Sequence, residues 1–288
     1  MNILVTGALG QLGSELRRLA GQHPSHTFFF TDVAELDITN AERVNQFVSQ
    51  HAIALTINCA AFTAVDKAEQ AAELCEAINH DGPRVLAQAM NEYHGAMIHV
   101  STDYVFDGTA STPYTEDIPT RPIGVYGRTK LRGEEAVRSC CPASVVVRTA
   151  WLYSSFGNNF VKTMLRLGRE RSELGVVFDQ IGSPTYARDL AVALLTIVEK
   201  GIVPGIYHFT NEGVCSWYDF TRAIHQLAGI TSCQVRPIHT ADYPTPAERP
   251  HFSVLDKSKF KATYDTTIPW WEESLRNCLQ ELGELQAR

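Results

Sequence analysis

The first half of the chain alternates short apolar runs with longer amphipathic stretches. The apolar runs cover residues 2–7, 27–32, 55–61, 96–102 and 144–153, and the amphipathic stretches cover residues 10–22, 40–51, 71–93 and 129–140. In the first amphipathic stretch, Leu12, Leu16 and Leu19 recur at helical spacing. Regular strand–helix alternation, with strands apolar on both faces, predicts the α/β class and a doubly wound parallel sheet of the Rossmann type.

The second half of the chain is less regular. Its hydrophobic pattern predicts helices over residues 158–172, 187–201, 217–229 and 270–285, with short strands at "VVFDQ", "GIYHFT" and "CQVRPIHT" between them. A proline-containing turn segment covers residues 241–253. We therefore expect a smaller α+β C-terminal lobe over residues 151–288, some segments of which return to the domain formed by residues 1–150.

Composition and charge exclude several classes of function. The 288 residues carry a formal net charge of −7, which argues against a nucleic-acid surface. No apolar run approaches the roughly 18 residues of a membrane span, and the "MNILVTGALG" start lacks the basic region of a signal peptide. The 7 cysteines include no C-x-x-C pair, which is typical of a reduced protein of the cytoplasm.

A glycine-rich turn follows the first strand directly. The stretch "VTGALGQLG" places Gly7, Gly10 and Gly13 in a G-x-x-G-x-x-G pattern between that strand and the first helix, with Gln11 and Leu12 at the turn. Such glycines allow a tight turn, a close approach of the backbone to phosphate and close packing of helix on strand. The N–H groups of the helix N-terminus then face the anion. Residues 1–150 are therefore predicted to form a dinucleotide-binding Rossmann domain.

Acidic residues follow the second strand. Asp32 lies nineteen positions after Gly13, where a carboxylate binds the ribose hydroxyls of NADH and repels the 2′-phosphate of NADPH. Asp37 is a further candidate for the adenosine end. At the end of the third strand, small Ala60 and Ala61 would let a cofactor pass close to the backbone, although tight strand packing explains them equally well.

Hydroxyl, phenol and ammonium groups form a possible proton-transfer set. Thr102 and Asp103 end the fourth strand, and Tyr126 and Lys130 lie four positions apart on the next helix. A free tyrosine has a pKa of about 10, and a nearby ammonium together with an oxidised nicotinamide would lower it. We expect Thr102 to hold the substrate oxygen, Tyr126 to supply the proton and Lys130 to tune the phenol and bind the nicotinamide ribose.

Motifs along nearly the whole chain resemble a known family. The chain is similar to the extended short-chain dehydrogenase/reductases and, among them, to the dTDP-4-dehydrorhamnose reductases. The resemblance rests on "NILVTGALGQLG", "NCAAFTAVDKAE", "STDYVFDG", "VYGRTKLRGE", "RTAWLY", "GNNFVKTML", "DQIGSPT" and "YPTPAERPHFSVLD". It implies NADPH- or NADH-dependent reduction of the C4 ketone of dTDP-4-dehydro-L-rhamnose, with residues 151–288 mainly forming the substrate-binding lobe.

The resemblance also implies roles for individual residues. Thr102, Tyr126 and Lys130 match the catalytic triad of the family. The cofactor positions it implies are Gly10, Gln11, Leu12, Asp32, Asp37, Ile38, Ala61, Phe62 and Thr63, to which the turn adds Gly7 and Gly13. The substrate positions are Thr102, Asp103, Tyr104, Trp151 and Arg249, of which Arg249 would bind the nucleotide diphosphate, since guanidinium forks match phosphate oxygens.

A homodimer is one assembly that the resemblance implies. Some relatives dimerise through carboxylates that share a divalent metal, and Glu15 could serve in that role. Arg188 stands where a second carboxylate would be expected, and the histidines form no H-x-x-x-H motif. We therefore expect no metal site, and the expected partner is a small nucleotide sugar rather than nucleic acid or membrane.

Two alternatives use the same scaffold for another purpose. A regulatory subunit similar to that of methionine adenosyltransferase would bind NADP without turnover, but Thr102, Tyr126 and Lys130 are all present here. Another enzyme of the superfamily would act on a different nucleotide sugar as an epimerase, a dehydratase or a 4-ketoreductase. Asp103 is followed by Tyr104 rather than by glutamate, which argues against dehydration.

Overall fold

Strands form one main sheet and several short pairs. A computed structural model of the chain describes residues 1–286. Its strands are β1 (Asn2–Thr6), β2 (Thr27–Thr31), β3 (Leu55–Asn58), β4 (Ala96–Thr102), β5 (Ser144–Thr149), β6 (Leu152–Tyr153), β7 (Glu173–Val177), β8 (Ile181–Gly182), β9 (Thr185–Tyr186), β10 (Gly205–His208), β11 (Cys215–Ser216) and β12 (Gln234–Ile238).

Helices connect these strands. They are α1 (Gln11–Leu19), α2 (Ala41–Gln50), α3 (Val65–Ala68), α4 (Ala72–Glu76), α5 (Gly82–Glu92), α6 (Val125–Cys140), α7 (Phe160–Glu170), α8 (Ala187–Lys200), α9 (Trp217–Leu227), α10 (Ser258–Thr263) and α11 (Trp271–Glu281). Three of them begin with a side-chain cap that accepts from the backbone: Asn40 at α2, Asn159 at α7 and Ser216 at α9. No helix within residues 1–286 is long and apolar enough to cross a membrane.

The main sheet has six strands in the order β2-β1-β3-β4-β5-β10, and all of its pairings are parallel. The strand order reverses between β1 and β3, which is the point where open α/β sheets bind ligands. Helices cover both faces of the sheet. One face packs on α1 and α8 through residues such as Leu16 and Leu194, and the other packs on α2, α5 and α6 through residues such as Val44 and Val137. The predicted doubly wound parallel sheet is confirmed.

Two predicted elements divide in the structure. The helix expected over 71–93 becomes α4 and α5, separated by a π-helical segment, Ala77–Asp81. Segments of this kind often occur at functional sites. The strand expected over 144–153 stops at Thr149, because Trp151 adopts a left-handed backbone conformation with φ of 49°. The chain then resumes as β6, which pairs with β9 rather than with the main sheet.

The second half of the chain contributes both to a separate core and to the main sheet. Helices α7, α9 and α11 pack around a second apolar cluster that includes Val161, Phe220 and Leu275, and β7 pairs with β12 beside it. The strand predicted at 205–210 is β10, which lies next to β5 at the edge of the main sheet. Residues 287 and 288 of the predicted lobe lie outside the described residues.

Candidate active site

A cleft of about 850 Å³ runs along the carboxyl ends of β1 to β5. Ligand sites in proteins typically enclose roughly 300–1,000 Å³. Most of the residues singled out in the sequence line this cleft: Gly7, Gly10, Gln11, Leu12, Gly13, Asp32, Asp37, Ile38, Ala61, Thr63, Thr102, Asp103, Tyr104, Tyr126, Lys130 and Trp151. Phe62 and Arg249 are the two predicted residues that are not among its lining residues.

The glycine turn is held by its own backbone. Gly7 has φ of +66°, and a Cβ placed on it would lie 2.6 Å from the backbone nitrogen of Ala60. A Cβ on Gly13 would lie 2.4 Å from the carbonyl oxygen of Gly7. The N–H of Gly10 donates to that same carbonyl at 3.1 Å. No larger residue fits at Gly7 or Gly13 without moving main chain, and the N-terminus of α1 opens into the cleft beside them.

Asp32 joins the second strand to the glycine turn. Its carboxylate accepts hydrogen bonds from the N–H of Leu9 at 3.0 Å and from the N–H of Val33 at 2.9 Å. The guanidinium of Arg17 lies over the ring of Phe30, 4.7 Å from its centroid. The adenosine end of the cleft therefore presents a fixed carboxylate, which suits ribose hydroxyls.

The segment after β3 is fixed by a buried asparagine. Asn79 lies in the π-helical segment and is fully buried; its amide accepts from the N–H of Phe62 at 2.8 Å and donates to the carbonyl of Phe62 at 3.1 Å. Phe62 thereby holds its neighbours Ala61 and Thr63 against the cleft. The sequence pattern does not predict this contact, because a continuous helical pattern does not distinguish a π-helical turn from an α-helix.

The end of β4 presents a threonine and a buried carboxyl. The hydroxyl of Thr102 donates to Oδ1 of Asp103 at 3.0 Å and accepts from the N–H of Tyr104 at 3.2 Å. Burial raises the pKa of Asp103 to about 6, and hydrogen bonds from hydroxyl groups partly oppose this rise. The carboxyl group of Asp103 therefore titrates close to neutral pH. It accepts a hydrogen bond from the Thr102 hydroxyl.

Tyr126 and Lys130 both lie on α6, which begins at Val125 rather than at residue 129 as predicted. The ring of Tyr126 contacts that of Tyr104 edge-on, with centroids 5.5 Å apart. Gly127 permits this approach, because a Cβ there would lie 2.2 Å from the carbonyl oxygen of Tyr104. The Nζ of Lys130 is buried and donates to the carbonyl of Val100 at 2.7 Å.

The groups of this chain act on the two pKa values differently from the expectation. Burial raises the pKa of the Tyr126 phenol, and the neighbouring Thr102 hydroxyl opposes the rise. Burial also lowers the pKa of Lys130 to about 8, and the Glu134 carboxylate opposes that fall. We predicted that Lys130 would help to lower the pKa of the phenol. Among the groups of the protein that act on this pKa, Lys130 is not one.

The part of the cleft formed by the second half of the chain contains two stacked indoles. Trp151 and Trp217 lie parallel, with ring centroids 3.5 Å apart and an interplanar angle of 9°. The other side of Trp151 meets Gly182, where a Cβ would lie 2.7 Å from the indole. Trp217 begins α9 and was not singled out in the sequence, because 66 positions separate it from Trp151.

Arg249 lies outside the cleft lining and is paired with Asp66. Its guanidinium donates to both carboxylate oxygens of Asp66, at 3.0 and 2.8 Å, and also to Thr245 and to the carbonyl of Ala247. These bonds lower the pKa of Asp66 and join the proline-containing segment to α3. In this arrangement the guanidinium is occupied by protein groups, and the predicted diphosphate contact stays a prediction.

Glu15 and Arg188 lie in a cluster of charges between α1, α8 and α11. The buried Glu15 accepts from the hydroxyl of Ser154 at 2.6 Å, and burial raises its pKa. Arg188 and Arg18 both form ion pairs with Glu281. Within residues 1–286, no group of three or more histidine, cysteine, aspartate or glutamate side chains is arranged to hold a metal ion. The guanidinium groups of Arg18 and Arg188 act on Glu15, and their positive charge makes its surroundings unfavourable for a metal cation.

A loop after β6 closes one side of the cleft. Asn159 donates to the amide oxygen of Gln11 at 3.0 Å and to the carbonyl of Ser154 at 2.7 Å. Asn158 and Asn159 both line the cleft next to the glycine turn. The sequence pattern predicted that a helix begins at Asn158, and it predicted no contact for Asn158 or Asn159.

Comparison with known proteins gives one consistent family. Residues 1–284 match the family model described as the RmlD substrate binding domain. The dTDP-4-dehydrorhamnose reductase of Aggregatibacter actinomycetemcomitans is 43% identical over 285 residues, which cover 96% of this chain and 97% of that protein.

Solved structures agree with this assignment. A dTDP-4-dehydrorhamnose reductase from Clostridium acetobutylicum superposes with a TM-score of 0.94 at 44% identity, covering 98% of this chain and 100% of that one. The dTDP-4-dehydrorhamnose reductase from Bacillus anthracis, solved in complex with NADP, superposes with a TM-score of 0.93 at 38% identity, covering 97% and 99%.

Proposed function

The chain belongs to the RmlD substrate binding domain family, and we propose that it is an NAD(P)H-dependent oxidoreductase that reduces the C4 ketone of dTDP-4-dehydro-L-rhamnose to dTDP-L-rhamnose. Its relatives are dTDP-4-dehydrorhamnose reductases, one of which was solved with NADP. Several functions share the fold, so the proposal depends on the site rather than on the fold.

One observation carries the proposal. Thr102, Tyr126 and Lys130 line the same cleft as the glycine turn, at the carboxyl ends of the strands. A regulatory dinucleotide-binding subunit needs the glycine turn and Asp32 but no buried phenol and ammonium beside them. Burying the Lys130 ammonium is unfavourable and lowers its pKa, and such perturbed groups are characteristic of catalytic sites.

The residues of the cleft fit a dinucleotide at one end. We propose that Gly7, Gly10, Gly13, Gln11 and Leu12 cradle the diphosphate. Asp32, Asp37 and Ile38 would meet the adenosine, and Ala61, Phe62 and Thr63 would border the cofactor from the segment after β3. The bound cofactor, NADPH or NADH, supplies the hydride.

The proton chemistry belongs to Thr102, Tyr126 and Lys130. The raised pKa of Tyr126 keeps the phenol protonated at neutral pH, which is the form required of a proton donor to an alkoxide. The Thr102 hydroxyl exchanges its bond to Asp103 for one to the substrate oxygen and orients the carbonyl. Lys130, held by the Val100 carbonyl, would bind the nicotinamide ribose through its ammonium.

The remaining predicted residues define the substrate half. Asp103 and Tyr104 border the reacting carbon, Trp151 forms an apolar wall for the deoxysugar, and Arg249 would reach the diphosphate once released from Asp66. We propose that residues 151–288 supply most of this half and that residues 1–150 supply the cofactor half.

Assembly and location complete the proposal. A homodimer is compatible with the family resemblance, and Arg188 next to Glu281 disfavours a metal-bridged one. A cytoplasmic location is supported by seven free cysteines among the described residues and by dependence on a nicotinamide cofactor.

A panel assay tests the proposal. Oxidation of NADH and NADPH is followed with dTDP-, UDP- and GDP-linked 4-ketosugars, and we expect turnover with dTDP-4-dehydro-L-rhamnose. Tyr126→Phe should lower kcat by about 10²–10⁴-fold, because it removes the proton donor and leaves the ring. Tyr93→Phe, on the surface, is the matched control and should be unchanged. Full activity of Tyr126→Phe would refute the assignment, and turnover of a different ketosugar alone would identify another 4-ketoreductase.

A further inference from the structure

A row of polar side chains crosses the sheet face beneath α6. Along this face, the strands β1, β3, β4, β5 and β10 contribute the buried residues Thr6, Asn58, His99, Ser101, Arg148 and His208. Most of the rest of this face is apolar and packs on α2, α5 and α6, with Thr56 and Ser144 as further buried polar residues. Polar groups in such a core are unfavourable unless they are paired, so this row needs a reason.

The strongest contact in the row is a buried ion pair. Arg148 donates to both carboxylate oxygens of Glu134, through Nε at 2.9 and 3.2 Å and through Nη2 at 2.7 Å. Ser101 donates to the same carboxylate at 2.5 Å, and both charged side chains are 2% exposed. Replacing a buried ion pair by apolar residues is often neutral or stabilising, so stability alone does not explain this one.

Glu134 lies one helical turn after Lys130 on α6, on the same side of the helix. Within residues 1–286, no carboxylate forms an ion pair with Lys130, whose nitrogen donates to the carbonyl of Val100. Burial favours the neutral amine of Lys130. Among the groups that oppose this effect, Glu134 has the largest influence, and it favours the charged ammonium.

The other titratable groups facing Lys130 carry no charge at neutral pH. Burial raises the pKa of Cys59, at the end of β3, to about 12, and it also raises the pKa of Cys75 on α4. Burial lowers the pKa of His99, on β4, well below its ordinary value. Tyr126, one turn earlier on α6, has a raised pKa and stays protonated. Glu134 is therefore the charged neighbour that opposes neutralisation of the ammonium.

We propose that Glu134 is a positioning residue for the reaction: held by Ser101 and Arg148, its carboxylate keeps the ammonium of Lys130 charged and in place beneath Tyr126. The inference rests on the proposed role of Lys130 in reduction. Glu134 does not line the cleft and acts only through Lys130. The buried polar row is then the support that fixes the Glu134 carboxylate beneath α6.

A pair of variants separates this role from a structural one. Glu134→Gln removes the charge but leaves Arg148 buried without its partner, which is strongly destabilising. The double variant Glu134→Gln/Arg148→Met removes both charges and restores an apolar neighbour. This variant removes the buried ion pair as a unit, so its Lys130 titration reports the net effect of the pair on the ammonium. Glu173→Gln/Arg236→Met, an exposed ion pair between β7 and β12, is the matched control.

The Lys130 titration is measured directly by NMR on protein labelled with ¹³Cε-lysine, with the signal assigned by its loss in Lys130→Met. We expect a midpoint near pH 8 in the wild-type protein and about one pH unit or more lower in the double variant. The control should titrate as the wild type does. The alkaline limb of kcat/KM should move by the same amount.

An unchanged Lys130 midpoint in the double variant would overturn the inference and leave the ion pair a structural element. The NMR readout does not require turnover. If the midpoint shifts but no ketosugar is reduced, the proposed function fails, while the electrostatic effect of Glu134 on Lys130 stands. If turnover occurs with an unshifted midpoint, the proposed function stands and the role of Glu134 fails.

Discussion

The cofactor half of the cleft and its substrate half differ in what holds them in place. The cofactor half is shaped by main chain, since a Cβ at Gly7 or Gly13 would meet backbone atoms at under 3 Å. The proposed substrate half is shaped by side chains from remote segments, such as Trp151 stacked on Trp217, and the Arg249–Asp66 pair lies outside its lining.

This difference has consequences for tolerance and specificity. Backbone contacts leave no room to adjust, so we expect changes in the cofactor half to be severe and to affect every substrate alike. Side-chain contacts can repack, so changes in the substrate half should be milder and should depend on the sugar nucleotide. Four variants test this contrast, taken from the largest expected effect to the smallest.

Lys130 belongs to both halves, and Lys130→Met should show the largest effect. We expect kcat to fall by about 10²-fold or more, because the ammonium proposed to bind the nicotinamide ribose is removed. We also expect the fold to gain stability. The folded-state pKa of about 8 lies below the ordinary value of 10.5, so below pH 8 the buried charge costs at most about 3 kcal/mol.

The pH dependence of that gain has a definite sign. Between pH about 8 and 10.5 the unfolded chain binds the proton more readily than the folded one, so the cost of the charge disappears as the pH rises. The free energy of unfolding of Lys130→Met, measured by urea denaturation, should therefore exceed that of the wild type at pH 7. The excess should shrink towards pH 10.5, and a loss of stability at pH 7 would contradict this account.

Gly13→Ala tests the backbone of the cofactor half. The new Cβ would meet the Gly7 carbonyl at 2.4 Å and Cα of Ala8 at 2.5 Å, so the turn must move. We expect the dissociation constant for NADH, measured by fluorescence titration, to rise by about 10- to 100-fold. Gly21→Ala is the matched control, because a Cβ there meets nothing within 4 Å. Equal NADH affinity in the two variants would break the comparison.

Trp217→Ala tests the side-chain wall of the substrate half. Without Trp217, the indole of Trp151 loses its stacked partner, and we expect KM for the sugar nucleotide to rise about 5- to 10-fold. The dissociation constant for NADH should stay within about twofold, because the aromatic partners of Trp217 are Trp151 and Phe160 rather than residues of the glycine turn. Trp270→Ala, at a 48% exposed position, serves as control. A parallel loss of NADH affinity would show that the halves are not separable.

Asp66→Asn should show the smallest effect. The partly exposed pair with Arg249 contributes at most about 1 kcal/mol to stability, and its removal frees a guanidinium at the edge of the substrate half. If Arg249 binds the diphosphate of the substrate, KM should fall about 2- to 3-fold. A rise in KM together with a lower melting temperature would instead assign the pair solely to holding the proline-containing segment.

The same contrast explains how far the sequence could be interpreted. The glycine turn, the strand-end carboxylate Asp32 and the Tyr126–Lys130 spacing are local patterns whose geometry follows from the strand and helix that carry them. Their place in one cleft followed from the parallel sheet, because the carboxyl ends of its strands meet at one edge. The fold class and the catalytic set were therefore accessible to local patterns.

The other features depend on contacts between distant segments. The fold places Trp217 beside Trp151, Asn159 beside Gln11, and the Glu134–Arg148 pair near Lys130. The roles of these residues depend on that placement and cannot be predicted from local sequence. The membership of β10 in the main sheet likewise depends on its pairing with β5, which a short apolar run at residues 205–210 does not specify. Arg249 shows the opposite case, since a plausible phosphate ligand in the sequence has a carboxylate partner in the fold.

The central claim is that this cleft transfers hydride from a nicotinamide to the C4 carbon of a sugar nucleotide. The most direct test is one turnover with NADH that carries deuterium at both C4 positions of the nicotinamide, followed by NMR of the sugar product. The account predicts one deuterium at C4 of dTDP-L-rhamnose with the wild-type protein and a strongly reduced yield with Tyr126→Phe. A product without deuterium at C4, or equal yields from both proteins, would contradict it.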